Sequence, residues 1–123
     1  MKVNRLLINI CSEHLPESKL FYTTLFDFRV DYDSDWFVHL IASDKKLELG
    51  IIDKTNELVP EAWRGPSAGS YITLVVPNVD ELYGLAQASG FVVIQAPEDT
   101  FYGQRRMLLQ DPSGYLVDVS SMI

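Results

Sequence analysis

Seven polar side chains recur at alternating positions of strand-like runs: Arg5 and Asn9, then Glu48, then Tyr71 and Thr73, and finally Asp118 and Ser120. Successive strand residues point to opposite faces, so each lies across its strand from an apolar set that includes Leu6, Ile8, Ile10, Leu47, Leu49, Ile72, Leu74, Val117 and Val119. A guanidinium placed between two acids neutralises their repulsion and offers its fork for paired hydrogen bonds. A phenol opposite a carboxylate is a pair able to move a proton if burial raises the acid's pKa, and a neighbouring guanidinium opposes that rise. Leu7, Ile52, Val75 and Leu116 share these polar faces and are poor choices for open solvent. Apolar surface with a few converging polar groups describes a ligand cleft, provided the sheet curls. A dimer interface would bury the same residues.

The elements that position these side chains are read twice along the chain. A strand at Arg5 to Ile10 leads to a helix that opens at Pro16 and carries Leu20, Phe21, Thr24 and Leu25, then to a strand from Phe28 and a hairpin of Trp36 to Ala42 and Leu47 to Ile52. The order repeats from Tyr71. Asn78 and Glu81 resemble a capping box, Leu82, Leu85 and Ala86 give an apolar stripe, and Gly90 sits where a left-handed cap is expected. Asp111-Pro112-Ser113-Gly114 then specifies the turn between strands at Arg105 to Gln110 and Tyr115 to Ser120. Setting Ile10 on Val76 places Arg5 on Tyr71, and aligning the last strands places Glu48 on Asp118. A long unit occurring twice predicts two fused βαβββ modules sharing a sheet, not a solenoid, which needs at least about three shorter repeats. The expected organisation is α+β, a single domain over 1–123, with module one at about 1–53, a linker at 54–69 and module two at 70–123. The linker holds Pro60, Gly65, Pro66 and Gly69 and is long for a simple connection, and Trp63-Arg64 within it either covers a ligand or pins the segment through a buried Trp.

A chain of 123 residues with 47% hydrophobic content has the material for one core, and its net charge of −7 repels phosphate backbones and anionic bilayers and either draws in cations or serves solubility alone. Neither nucleic acid nor a membrane is an expected partner. Cys11 is alone, which fits a reducing compartment, and no apolar run approaches the roughly 18 residues of a membrane span, so a cytoplasmic protein is expected. No Gly-x-Ser-x-Gly elbow or phosphate-cradling glycine loop is present, and Cys11 has no His near it in sequence. His14 reads as a surface residue. His39, with Phe37 and Ile41 on its face, reads as a structural histidine unless its register brings it to the cleft. Arg105 and Arg106 are adjacent on a strand, so one faces the cleft and the other does not. With Tyr102 and Gln104, the inward one is suited to a carboxylate or phosphonate, unless both serve as charges on an edge strand.

The tandem modules, the Phe21-Tyr22 pair, Phe28, and above all Tyr102-Gly103-Gln104-Arg105 followed by Asp111-Pro112-Ser113-Gly114-Tyr115 resemble the vicinal oxygen chelate superfamily of glyoxalases, bleomycin resistance proteins and extradiol dioxygenases. The resemblance covers essentially the whole chain. It implies a curved mixed sheet around a cleft, with helices on the outer face and a homodimer. Metal-dependent members place His or Gln, Glu, His and Glu around one divalent ion, and the matching positions here are Arg5, Glu48, Tyr71 and Asp118. A guanidinium and a phenol are not ordinary ligands for such ions. The expected function is therefore metal-independent binding or sequestration of a small molecule, with no cofactor. The ligand set is expected to come from Arg5, Asn9, Glu48, Trp63, Tyr71, Thr73, Tyr102, Arg105, Arg106 and Asp118. The alternative is a glyoxalase-like lyase or isomerase, or an antibiotic-modifying enzyme, with Glu48 and Asp118 on a divalent metal. A module for protein interaction is the third reading.

Overall fold

Two βαβββ units follow one another in the structure, a computed structural model that describes residues 1–65 and 67–123. Pro66, counted above in the linker, lies outside the described residues. Contacts gather the chain into Met1–Ser67 and Ala68–Ile123, so residues 54–67 belong with the first unit.

In module one, β1 (Ile8–Ser12) is followed by α1 (Leu15–Leu25), β2 (Arg29–Asp33), β3 (Phe37–Ala42) and β4 (Leu47–Asp53). The sheet order is β1-β4-β3-β2, with β1 parallel to β4 and the other pairs antiparallel. A parallel neighbour requires a crossover, which α1 and the hairpin provide. Pro16 stands in the first turn of α1, where its missing N–H costs nothing. Leu15, Ser18, Phe21, Tyr22 and Leu25 form its buried face, whereas Leu20 points to solvent. That face packs on β3 and β4, whose Val38, Leu40, Leu49 and Ile51 are almost wholly buried. The β3–β4 turn has positive φ at Ser43, Asp44 and Lys45.

Module two repeats the plan with β5 (Ile72–Val75), α2 (Val79–Ala88), β6 (Val92–Asp99), β7 (Gln104–Gln110) and β8 (Leu116–Met122), in the order β5-β8-β7-β6. Asn78 caps α2, its side-chain oxygen accepting from the Glu81 N–H at 3.1 Å, and Gly90 takes φ +76° just beyond the helix. The buried face of α2 is Val79, Leu82 and Ala86, while Leu85 is exposed.

The α+β class and the duplicated order are as the sequence predicts. Strand pairing is confined to each module, giving two four-stranded sheets where one shared sheet was expected. The duplication extends to register: Ile8 pairs with Leu49 and Asn9 with Gly50, while Leu74 pairs with Val119 and Val75 with Ser120. These are the partners that the two sequence alignments dictate. Arg5 and Tyr71, expected at the starts of the first strands, precede β1 and β5. Among the described residues no helix is long and apolar enough to cross a membrane.

Candidate functional site

The polar face of module one centres on Glu48. Its side chain is only 10% exposed and is gripped by Arg5, whose Nε lies 2.8 Å from both carboxylate oxygens and whose Nη2 lies 2.5 Å from Oε1. Nε2 of His39 stands 2.8 Å from the same Oε1, and Nδ1 of His39 stands 3.0 Å from Oδ2 of Asp31. The result is a chain of groups, Arg5, Glu48, His39 and Asp31, across the face. His39 reaches it because β3 pairs with β4 so that His39 opposes Gly50 and Ile41 opposes Glu48. Strand alternation makes His39 structural unless its register brings it to the cleft; the structure makes it a direct partner of Glu48.

The hydrogen bond from Arg5 is the main reason the Glu48 carboxyl is held down to about 2 from its ordinary 4.5; desolvation works against it, and the His39 contact adds to it. The ionised form is favoured by folding, so this contribution is complete above the ordinary carboxylate value and disappears as pH falls toward about 2. Denaturation profiles at successive pH values are expected to show native module one weakening through that window more steeply than Glu48→Gln. Parallel profiles would contradict the pairing.

Module two carries an equivalent arrangement. Oδ1 of Asp118 accepts from Arg106 Nε at 2.9 Å and Oδ2 accepts from Thr73 Oγ1 at 2.8 Å. Arg106 pairs with Ser120 as His39 pairs with Gly50, so the two third-strand cations occupy matching places beside matching carboxylates. Arg105 turns to the other side, to Asp80 on α2 and Asp99 on β6 at 3.0–3.1 Å. Arg106 is thus the arginine of the polar face. Arg105 was also expected as a ligand group, but it is a link between a helix and a strand. Tyr71 and Tyr102 are half exposed, and Tyr102 stacks edge-on with Phe101. The Ser120 hydroxyl is buried without a hydrogen-bond partner among the described residues.

These groups do not fit a divalent metal of the usual kind. Each carboxylate is already engaged by a guanidinium within its own module, and the two remaining ligand places hold Arg5 and Tyr71.

A cavity of about 760 Å³ opens beside the Glu48 cluster in module one. Asn9 and Cys11 of β1, Ile52 of β4 and the Trp36-Phe37 pair form one side; Leu58, Val59, Pro60, Trp63 and Ser67 form the other. The Glu61–Trp63 3₁₀ turn presents the second tryptophan. A buried Trp63 does not pin this segment, since Trp63 is 73% exposed; Arg64 does so by donating to the Val59 carbonyl at 2.8 Å and the Asn56 carbonyl at 3.2 Å. Gly50 makes room for the side chain of Asn9: a Cβ there would stand 2.2 Å from Asn9 Oδ1 and 2.9 Å from the Phe37 ring. Arg5, Asn9 and Glu48 therefore belong to one face of module one with Trp63 at its cavity, and Thr73, Arg106 and Asp118 belong to one cluster of module two.

The pattern of the glyoxalase/bleomycin resistance protein/dioxygenase superfamily matches residues 3–119. The chain belongs to that superfamily. Among solved structures, a glyoxalase/bleomycin resistance protein/dioxygenase family enzyme from Burkholderia phytofirmans PsJN superposes with a TM-score of 0.78 at 24% identity, covering 95% of this chain and 97% of that one. TioX from Micromonospora sp. ML1 gives 0.70 at 17%, with 98% and 97% covered. The fosfomycin resistance protein FosX from Listeria monocytogenes gives 0.76 at 14%, with 100% and 96% covered. Such identities speak for the shared superfamily fold alone. No curated protein matches the chain.

Proposed function

We propose that this superfamily member is a metal-independent small-molecule-binding protein that sequesters a ligand or drug. The cavity of module one carries the reading: its size is that of a small-molecule site, and its walls are mostly apolar and aromatic with a few polar groups. Glu48, held near 2, is a weak base at neutral pH, and the guanidiniums that engage Glu48 and Asp118 give each carboxylate its positive counter-charge without a metal. Elemental analysis of protein purified without chelator tests this part, and one stoichiometric transition metal would favour the lyase or isomerase reading.

The chain has two tryptophans, and both line the cavity, so intrinsic fluorescence reports on it directly. A compound that stabilises the protein thermally is expected to change that emission and to bind Trp63→Ala about tenfold more weakly or worse, as loss of an aromatic contact does. Undiminished affinity for the variant would move the site elsewhere. We extend the proposal to a cytosolic homodimer, for which the outward Val92 and Ile94 of β6 supply apolar surface. Sedimentation equilibrium returning only monomer would remove the dimer.

A further inference from the structure

We infer that the cavity of module one selects an uncharged, planar apolar ligand bearing one hydrogen-bonding group, and discriminates against cations. The inference rests on the reading of that cavity as the ligand site and deepens it by naming the ligand's class.

A net charge of −7 by itself points to cationic ligands. The cavity does not share that charge, for none of its lining residues is acidic or basic. Glu48, on the same face as Asn9, is occupied by Arg5 and His39. Asp53, next to Ile52, turns its Oδ1 to the Thr55 N–H and hydroxyl at 2.9 and 2.8 Å. Burial pushes the Cys11 thiol up, which keeps it protonated at neutral pH. An ion entering here would give up water without meeting a counter-charge among the lining residues, a cost that a neutral molecule escapes.

The walls define the rest of the ligand. Trp36 and Phe37 stand with ring centroids 5.6 Å apart and planes inclined by 35°, making a broad aromatic surface, and Trp63 supplies another across the opening. Flat apolar rings match such surfaces. The Asn9 side chain, lodged over Gly50, makes no hydrogen bond among the described residues, and its amide offers both a donor and an acceptor. Under the duplication Asn9 corresponds to Val75 and Gly50 to Ser120, so module two has no equivalent of this handle.

Three probes with one ring system separate the possibilities: β-naphthol, β-naphthoate and β-naphthylmethylammonium, titrated at neutral pH by calorimetry with the indole N–H signals of Trp36 and Trp63 followed by NMR. The naphthol is expected to bind at least about tenfold more tightly than either ion, as an uncompensated desolvated charge demands. In Asn9→Leu its advantage over unsubstituted naphthalene should vanish. A cation bound as well as the naphthol would overturn the inference and leave the cavity a ligand site. Failure of all three to move the indole signals would remove the ligand-site reading together with the inference. Dissociation of an oligomer by the naphthol, matched by a monomeric Trp63→Ala, would mean that a second copy of the chain fills the cavity, which also overturns the inference.

Discussion

Replacing Phe21 by alanine is expected to cost module one about 3–5 kcal/mol, the range for deleting a fully buried aromatic ring. Phe21 has no exposed surface and meets Tyr22 edge-on with centroids 4.9 Å apart, and Phe26 closes a triangle with the two at 6.0 and 6.3 Å. Phe21 and Tyr22 sit on the face of α1 that covers β3 and β4, so the void would open where helix and sheet meet. Closing it would require α1 to move, and its crossover position between β1 and β2 restrains that movement. Denaturant titration gives the magnitude, and amide exchange in β3 and β4 locates it. A loss below about 1 kcal/mol would mean that the site repacks freely, contrary to the density expected of such a core.

Asp111→Ala should be the more local injury, about 2–3 kcal/mol, because an acceptor of several hydrogen bonds is removed from a buried turn. Asp111 is 3% exposed, and its Oδ1 accepts from the Ser113 N–H at 2.8 Å, the Ser113 hydroxyl at 2.5 Å and the Tyr115 N–H at 2.9 Å. The turn is completed by the Asp111 N–H donating to the Tyr115 carbonyl at 3.0 Å and by Gly114 at φ +90°. Asp111→Asn keeps an oxygen in the accepting position and is expected to recover most of the loss. Equal damage from both substitutions, measured by denaturation, would point to charge and not to acceptor geometry.

That turn was legible in the sequence because its chemistry is local: Asp, Pro and Gly each dictate a dihedral or a hydrogen bond within four residues. The cap at Asn78 and the left-handed Gly90 were legible for the same reason. The registers of β1 on β4 and β5 on β8 followed from the duplication, since a repeated fold repeats its pairings. Other features depend on partners that alternation cannot see. Pattern alone extends the first strand back to Arg5, but the ladder to β4 begins at the Ile8–Leu49 pair. Alternation sets Arg105 and Arg106 on opposite sides without saying which side holds Asp118, and the β7–β8 pairing decides it for Arg106. His39 could have been found by applying the hairpin register to Glu48, which puts it two pairs from the acid and so on the same face. The cavity's second wall lay in a segment read as a linker, where neither period nor repeat supplies a signal.

The seven residues ahead of β1 have no regular structure, and Val3 and Leu6 in them are largely exposed. Arg5 moors this segment to the sheet through its fork on Glu48 and a 3.3 Å contact of Nη2 with His39 Nε2, and its basic end is 60% exposed. A tether of that kind slackens as dissolved electrolyte accumulates, since counter-ions screen charges within reach of water. High salt is therefore expected to loosen residues 1–7 from the polar face before it disturbs the apolar packing of β1, β3 and β4.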